Sequence, residues 1–239
     1  MKYKEIRAFQ MKGLKTDFIV CPYCYLFSPF FTMFFVKHHV VPNVVTVLMI
    51  LSGLLGAVLF AVPVIPIQIL GTILIHIWFI LDCSDGEVAR ITQKFSTFGR
   101  EIDYTAHIVN HPCFTISFLI AMYLSGRYDM FWCIVAFLIF TSLESMGRHL
   151  CSFYVIRDLK LTEQKMETKN PPLLKGIILY IINSITVYPV FALLFPIIFF
   201  IDMALGTELC FFLTVLFAIA NLCVIPRQVI KWVKYIVKA

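Results

Sequence analysis

The stretch VVTVLMILSGLLGAVLFAV, residues 44–62, contains no charged residue, and a second apolar run, residues 65–81, follows it almost at once. A helix needs about 20 apolar residues to cross the hydrocarbon core of a bilayer. Pro63 and Pro66 stand where one helix would end and the next would begin. The two runs together predict a helical hairpin that crosses a membrane twice.

The composition of the whole chain agrees with a membrane protein. Of its 239 residues, 60% are hydrophobic, 14% are charged and 24 are Phe. A soluble domain of this length needs more polar surface, and a disordered chain lacks such a content of aliphatic and aromatic residues. The apolar residues form continuous blocks, whereas an outer-membrane barrel shows short segments of alternating polarity. We therefore expect an all-α integral membrane protein.

Further apolar blocks complete the predicted set of transmembrane helices. They are residues 108–124, 130–154, 177–201 and 209–225. The block that begins at residue 130 contains Glu144 and Arg148, which have the i,i+4 spacing of a helical ion pair. Together with the hairpin, these blocks predict six transmembrane helices.

The segment that precedes the hairpin is apolar over residues 18–36, but Pro22 and Pro29 interrupt it. The distribution of Lys and Arg disfavours a seventh span, because these residues accumulate on the cytoplasmic side of short loops. With six spans and a cytoplasmic N-terminus, Arg127 is the only one of the 20 Lys and Arg residues in an outside loop. We therefore predict an interfacial, partly helical segment over residues 3 to about 33.

This arrangement predicts a cytoplasmic, interfacial N-terminal segment at residues 1–41 and a six-helix membrane domain at residues 42–239, with both termini on the cytoplasmic side. No small-residue cleavage site follows a short apolar core, so we expect the N-terminus to be retained. The net charge of +6 fits attraction to anionic lipid of the bilayer. No nucleic-acid fold signature is present, and we expect no nucleic-acid partner.

The eight cysteines are scattered, mostly within apolar runs, and predict no disulfide framework. The string CPYC at residues 21–24 copies a thiol redox site, and with His38 and His39 it could be drawn as a zinc site. No βαβ pattern surrounds it and the ligand spacing is unusual for zinc. We interpret the string as a chance occurrence in an aromatic segment.

The stretch LDCSDGEVARITQKFSTFGREIDYTAH, residues 81–107, places acidic residues at the predicted inner ends of two helices. Asp82 and Asp85 are three residues apart and Asp103 and His107 are four apart, so each pair shares one face of its helix. An ionised side chain at membrane depth costs about 2.5–3.5 kcal/mol on insertion scales, and converging carboxylates repel one another. Oxygen-rich sites suit hard cations, and the stretch predicts a site for Mg²⁺ or Mn²⁺.

Small residues and a guanidinium accompany the aspartates. Gly86 and Ala89 leave room for a ligand to approach the helix backbone, and Arg90 can bind a phosphate. The set predicts a pyrophosphate-containing substrate and phosphoryl-transfer chemistry. Glu87 and Glu101 fall off the aspartate faces, and we expect both at solvated helix ends.

Several other polar residues need an interpretation. We interpret His76, within the second span, as a packing residue. Arg148 and Lys94, with His149 and Arg157, could form a basic pocket for a phosphate or carboxylate of an acceptor. Alternatively, Arg148 pairs with Glu144 and the others are ordinary surface charges. The sequence leaves these two alternatives open.

The spacing of these residues resembles the signature of the CDP-alcohol phosphotransferase family. The match reads Asp82-x-x-Asp85-Gly86-x-x-Ala89-Arg90, eight residues, then Gly99-x-x-x-Asp103-x-x-x-His107. The family normally has Asp at the last of these positions. At the start of the first span, Pro42-Asn43-Val44-Val45-Thr46 is similar to the Pro-Asn-x-x-Thr element of the family. Six spans after an interfacial helix are also the architecture of the family.

The resemblance implies an enzyme in which an alcohol hydroxyl attacks the phosphorus of a CDP-linked donor, which releases CMP and leaves a phosphodiester. The product would be a phospholipid or a related polar-alcohol compound. The resemblance further implies a homodimer with a site that faces the cytosol. It assigns two divalent metal ions to Asp82, Asp85, Asp103 and the fourth signature position, here His107. It assigns the nucleotide groove to Asp82, Gly86, Ala89, Arg90 and Gly99.

His107 replaces the residue that is taken as the base in the family. A neutral histidine, with an ordinary pKa of about 6.5, can accept a proton near neutral pH or bind a metal, and a nitrogen ligand favours Mn²⁺ over Mg²⁺. We expect a working enzyme in which His107 and Asp103 have catalytic roles. The alternatives are a nucleotide-binding pseudoenzyme and a small transporter, although a transporter would carry its polar residues at mid-membrane. The sequence does not select the acceptor alcohol.

Overall fold

A computed structural model describes residues 3–7, 22–157 and 186–238, and it contains no strand within these residues. A short helical turn at residues 3–7 comes first. The helices that follow are α1 (Pro22–Lys37), α2 (Pro42–Ala61), α3 (Ile65–Thr92), α4 (Gly99–Ser125), α5 (Met130–Arg157), α6 (Tyr188–Leu205) and α7 (Leu209–Lys238). The described residues confirm the predicted all-α fold class.

Six of the described helices are long and apolar enough to cross a membrane. Their spans are Pro42–Ala61, Ile65–Thr92, Glu101–Ser125, Met130–Gly147, Tyr188–Leu205 and Leu209–Pro226. This result confirms the six predicted spans and the helix that precedes them. Cys21 and the first nine residues of the predicted fifth span, 177–185, lie outside the described residues. The described part of that span begins its helix at Tyr188, with Pro189 in the first turn.

The second span extends further than its apolar run. The predicted end was Leu81, but α3 continues to Thr92 and carries the acidic motif on a continuous helix. Polar side chains are compatible with this extension because they bond along the helix: Thr92 Oγ1 donates to the Val88 carbonyl at 2.7 Å. The helix ends where Gln93 adopts a left-handed backbone with φ 55°. The site residues are therefore held by a helix and not by a loop.

Glycines let the first two spans cross closely. A Cβ added at Gly71 would lie 2.5 Å from the Phe60 backbone nitrogen and 2.8 Å from the Gly56 carbonyl oxygen. Close backbone approach through small residues is a common way for helices to associate in membranes. One turn earlier on α2, Gly53 lies against Asn110 of α4 and Trp78 of α3. The crossing therefore sets a short distance between α2 and α3, and the absence of a side chain at Gly53 leaves room for α4 beside them.

A phenylalanine cluster joins the later spans to this pair. Phe60 of α2 contacts Phe118 of α4 edge to face, with ring centroids 5.5 Å apart. Phe118 stacks on Phe195 of α6 at 4.3 Å. Phe140 of α5 and Phe217 of α7 contact each other at 5.3 Å, and all five rings are buried. Aromatic pairs of this kind add about 0.5–1.5 kcal/mol each beyond the area they bury.

The end of the bundle away from the acidic motif is held by Asp202. Its carboxylate accepts hydrogen bonds from the backbone N–H groups of Leu209 and Cys210, both at 2.8 Å, and so caps α7. The Thr207 and Tyr128 hydroxyls also donate to it, at 2.6 and 2.8 Å. Burial raises the pKa of the Tyr128 phenol, so Tyr128 remains a proton donor in this contact. These bonds tie the loop before α5 to the turn between α6 and α7.

Helix α1 packs lengthwise against α3, from near the middle of α3 towards its C-terminal end. The Tyr23 ring stacks on His76 with centroids 5.6 Å apart, and Thr32 lies beside Glu87 further along both helices. The two helices therefore run in the same direction. A turn at His38 and His39 then reverses the chain into α2. The placement of α1 at a lipid interface remains a prediction.

We predict that Gly71→Ala destabilises the protein, although alanine is normally the better helix former. The added methyl must push α2 and α3 apart, at a cost of about 1–3 kcal/mol. Thermal unfolding of the purified protein in detergent measures the change. Ile73→Ala, at an exposed position two residues later, is the matched control and should change stability much less. An equal or higher melting temperature for Gly71→Ala would contradict the close crossing.

Candidate active site

Two helix segments that meet at one end of the bundle supply the candidate site. Asp82 comes from the C-terminal part of α3, and Asp103 and His107 come from the start of α4. One ligand atom of each of these residues lies within 4.8 Å of the ligand atoms of the other two. The structure thus brings together three of the residues that the sequence singled out.

His107 lies between the two carboxylates. Its Nε2 atom is 3.1 Å from Asp82 Oδ1 and 3.7 Å from Asp103 Oδ1. The imidazole is mostly buried, and its ring makes edge contacts with Trp78 at 5.7 Å and His111 at 5.3 Å. Asp103 is the more exposed of the two carboxylates, with 46% of its side chain accessible. The site is therefore open towards Asp103 and closed behind His107.

The spacing of these atoms fits a divalent cation. Mg²⁺ binds oxygen ligands at about 2.0–2.1 Å, so neighbouring ligands on one ion stand roughly 3 Å apart. The separations of 3.1 and 3.7 Å around His107 Nε2 are close to that value. Two carboxylates and an imidazole are also donors that Mn²⁺ and Mg²⁺ accept. These residues could hold a metal ion with small movements of their side chains.

Asp85 lies outside this group of three and is almost fully buried, with 8% of the residue exposed. Its Oδ2 atom accepts a hydrogen bond from Thr46 Oγ1 at 2.7 Å. The carboxylates of Asp82 and Asp103 are near enough to repel its charge. Asp85 therefore lies deeper than Asp82, between α3 and the first turn of α2.

The first turn of α2 also holds the loop that joins the two site helices. Asn43 Nδ2 donates to Ser96 Oγ at 3.2 Å, and Ser96 Oγ accepts from the Phe98 backbone N–H at 3.3 Å. The Gly99 N–H donates to the Ser96 carbonyl at 3.2 Å, where α4 begins. Asn43 and Thr46 thus connect one end of α2 to both halves of the acidic motif.

Arg90 occupies the space that Gly86 leaves open. A Cβ added at Gly86 would lie 3.0 Å from Arg90 Nη1 and 3.4 Å from Nη2. The guanidinium therefore packs over the glycine backbone, one turn along α3 from the aspartates. Ala89 is half-buried beside it. At Gly99 the nearest atom to an added Cβ is Ser96 Cβ at 3.5 Å, which is ordinary contact.

The two residues predicted to bind the acceptor are placed differently. Lys94 is exposed in the loop between α3 and α4, next to the site helices. The backbone of Arg148 is helical within α5, but its side chain lies outside the described residues, as do those of His149 and Arg157. The choice between a basic pocket and an Arg148–Glu144 pair therefore remains a prediction.

The burial of Glu87 differs from the expectation drawn from the sequence. We expected it at a solvated helix end, but it is only 2% exposed and accepts hydrogen bonds from Ser28 and Thr32 of α1. The physical reason is that α1 covers the face of α3 opposite the aspartates. Glu101, by contrast, is exposed, as expected.

A second imidazole and carboxylate lie behind the site, and the sequence analysis did not identify them as a pair. His111 Nδ1 is 2.8 Å from Glu144 Oε1 of α5. Tyr188 of α6 stacks on the His111 ring at 4.1 Å, and its hydroxyl donates to the His111 carbonyl at 2.6 Å. The signal in the sequence was the spacing of Asp103, His107 and His111, four residues apart on one helix face. His76 is a packing residue as interpreted, with Nδ1 3.1 Å from the Thr72 carbonyl.

Comparison with known proteins agrees with this geometry. A family model described as CDP-alcohol phosphatidyltransferase matches residues 39–237, which include α2 to α6, α7 except for its last residue and the whole acidic motif. Searches of curated proteins and of solved structures gave no match. The family match covers most of the chain, begins just before the Pro42-Asn43 element and includes Asp82, Asp85, Asp103 and His107. The chain therefore belongs to the CDP-alcohol phosphatidyltransferase family.

Proposed function

We propose that the protein is a divalent-metal-dependent membrane transferase that moves a substituted phosphoryl group from a CDP-linked donor to an alcohol. Family membership supports transfer between a CDP-alcohol and an alcohol. The observation that carries the metal-dependent form is the convergence of Asp82, Asp103 and His107 within 4.8 Å. In the reaction, the acceptor oxygen forms a bond to phosphorus as the bond to the CMP oxygen breaks. The acceptor hydroxyl loses its proton, and CMP leaves.

Asp82, Asp103 and His107 would hold the first metal ion, and Asp85 would contribute to a second. Bound metal would supply charge neutralisation for the diphosphate bridge and for the departing CMP. Asp85 is held by Thr46, so its second carboxylate oxygen is the one we assign to a ligand role. The metal would be Mg²⁺ or Mn²⁺, and the imidazole in the ligand set favours Mn²⁺.

The nucleotide groove would lie over Gly86 and Ala89, with Arg90 and Gly99 at its sides. The Arg90 guanidinium stands 3.0 Å from the position of a Gly86 Cβ, so a side chain there would displace it. A guanidinium that turns towards a diphosphate can form charge-assisted hydrogen bonds to it. Lys94 and Arg148 would contact the acceptor.

A single nitrogen of His107, Nε2, is the candidate for both of its proposed roles, metal ligand and base. Nε2 faces both Asp82 and Asp103, and the same atom would either ligate the metal or accept the proton of the acceptor hydroxyl. It cannot do both at once. Asp103, which is more exposed, would accept the proton when His107 is a ligand.

A nucleotide-binding pseudoenzyme is the second candidate, and His107 is the observation that favours it. An imidazole 3.1 Å from Asp82 can hold the carboxylates together without supporting turnover. Release of CMP by the purified full-length protein, with Mg²⁺ or Mn²⁺, decides between the two. The acceptor alcohol is not identified, so the assay needs two substrate combinations. One pairs CDP-linked lipids with polar alcohols, and the other pairs CDP-linked polar alcohols with diacylglycerol.

We also propose that the protein is a homodimer and that its site and both termini face the cytoplasm. Arg90 and Lys94 lie at the site end of the bundle, whereas Arg127 lies at the opposite end. The excess of positive charge at the site end supports a cytoplasmic position.

We predict that Asp82→Asn, Asp85→Asn and Asp103→Asn each lower CMP release at least about 100-fold. Loss of about 3 kcal/mol of transition-state stabilisation corresponds to that factor, and a metal ion supplies several kcal/mol. Glu101→Gln, which removes an exposed charge from the same helix end, is the control and should keep the wild-type rate. A wild-type rate in any of the three aspartate variants would remove that residue from the metal site.

We predict that His107→Ala slows turnover, whereas His107→Asp keeps or raises it when Mg²⁺ is the metal. The aspartate restores an oxygen ligand, and oxygen ligands suit Mg²⁺ better than nitrogen does. CMP release at a series of Mg²⁺ and Mn²⁺ concentrations measures the change in metal preference. If His107→Ala is as fast as the wild type with both metals, His107 has no catalytic role.

A further inference from the structure

A buried carboxylate lies on the back of the helix that carries the candidate site. Ser28 Oγ donates to Glu87 Oε1 at 2.7 Å, and Thr32 Oγ1 donates to Glu87 Oε2 at 2.5 Å. All three residues are nearly or fully buried. Each carboxylate oxygen of Glu87 thus accepts from a hydroxyl of the same neighbouring helix, α1. We call Glu87, Ser28 and Thr32 the Glu87 clamp.

Burial of the Glu87 carboxylate in the clamp has an unfavourable free energy of dehydration. A buried carboxylate loses its hydration, and the hydrogen bonds that it gains offset only part of the lost hydration free energy. Apolar side chains of similar size would pack α1 against α3 without this cost. Apolar contacts permit rotation and sliding, whereas two hydrogen bonds to one carboxylate set both the register and the rotation of the helices.

The rotation of α3 matters because of what its other face carries. Successive residues of an α-helix are about 100° apart around the axis. Glu87 therefore points roughly opposite to the face shared by Asp82 and Asp85. A rotation of α3 that broke the clamp would turn these aspartates away from Asp103 and His107, which belong to a different helix.

Two further contacts hold α1 on the same face of α3. Ser84, one turn before Glu87, places its Oγ 3.3 Å from the Ser28 carbonyl. Nearer the middle of α3, the Tyr23 ring stacks on His76. The Tyr3 hydroxyl donates to the Leu26 carbonyl at 3.2 Å and so braces α1 from its outer side. The contact is therefore continuous along α1, and the Glu87 clamp is its polar end nearest to the site.

From this geometry we infer that α1 is part of the catalytic unit and that Glu87 is a positioning residue, which keeps Asp82 and Asp85 directed at the metal site. The inference rests on the proposed function for its catalytic consequence. It goes beyond the family match, which begins at residue 39 and so excludes Ser28 and Thr32. The clamp acts through the orientation of α3, and its residues touch neither substrate nor metal.

The test removes the two donors and leaves the shape of the contact. In the full-length protein, Ser28→Ala combined with Thr32→Val deletes both hydroxyls with little change of volume. Misplacement of reacting groups by about 1 Å costs about 100-fold. We expect kcat to fall at least about 10-fold and the affinity for Mn²⁺, followed by electron paramagnetic resonance, to fall as well. Thr32→Ser, which keeps the hydroxyl, should stay close to the wild type in both.

The matched control is Thr72→Val. Thr72 lies on α3, the helix that carries Glu87, and its side chain is half-buried. Its hydroxyl donates to the Gln68 carbonyl within its own helix at 2.8 Å and makes no bond to α1 in this contact. It should keep the wild-type kcat and Mn²⁺ affinity. A melting curve of each variant gives the folded fraction, to which the rates are normalised. Wild-type kcat and Mn²⁺ affinity in folded Ser28→Ala/Thr32→Val protein would overturn the inference, since a merely stabilising contact predicts that result.

Hydrogen exchange separates this inference from the proposed function. Loss of the clamp should speed amide exchange at least about 10-fold around residues 82–90 of α3 and leave α6 unchanged. If the wild type releases no CMP from any donor, the proposed transferase fails, but faster exchange in this segment together with weaker Mn²⁺ binding would still support the clamp. Unchanged exchange in the double variant would overturn it whatever the activity of the wild type.

Discussion

Thr46 of α2 donates a hydrogen bond to Asp85 of α3, and this contact illustrates how the protein accommodates acidic side chains between membrane helices. Other buried or half-buried carboxylates at this end of the bundle also have a partner on a neighbouring helix. Glu87 accepts from α1, Asp82 lies against His107 of α4, and Glu144 of α5 lies against His111. Because each partner comes from a different helix, the acidic end of α3 is enclosed by α1, α2 and α4. The position of each helix at this end is therefore set by electrostatic compensation as well as by apolar packing.

The sequence predicted the features that depend on one helix or on helix neighbours along the chain. Apolar run length gave six spans. Three- and four-residue spacing put Asp82 and Asp85 on one face of their helix and Asp103 and His107 on one face of the next. It did not predict the environment of Glu87 or the His111–Glu144 pair, because their partners are 59, 55 and 33 residues away in the chain. Such contacts depend on which helices pack together and at what rotation. The end of α3 was also missed, since apolar run length gives no signal where a helix continues through polar residues.

The site is continuous with the packed interior of the bundle. Trp78 contacts His107 and His111 edge-on, both at 5.7 Å, and Phe114 at 4.9 Å. If the Asn110 amide is oriented to satisfy its neighbours, its oxygen accepts from the Trp78 N–H at 3.0 Å. Phe114 leads in turn to the phenylalanine cluster through Phe118 at 6.3 Å. The side chains around the candidate metal ligands are thus fixed by packing, which is what precise placement of reacting groups requires.

The direction of the hydrogen bonds along the chain has a consequence for biosynthesis. A ribosome makes the chain from its N-terminus, so Ser28, Thr32 and Thr46 are already synthesised when Asp85 and Glu87 emerge. These two carboxylates can accept hydrogen bonds from those hydroxyls as soon as the first helical hairpin inserts. Asp82 has to wait for His107, which is translated 25 residues later. During insertion, Asp82 therefore lacks its imidazole partner until the third span has been synthesised.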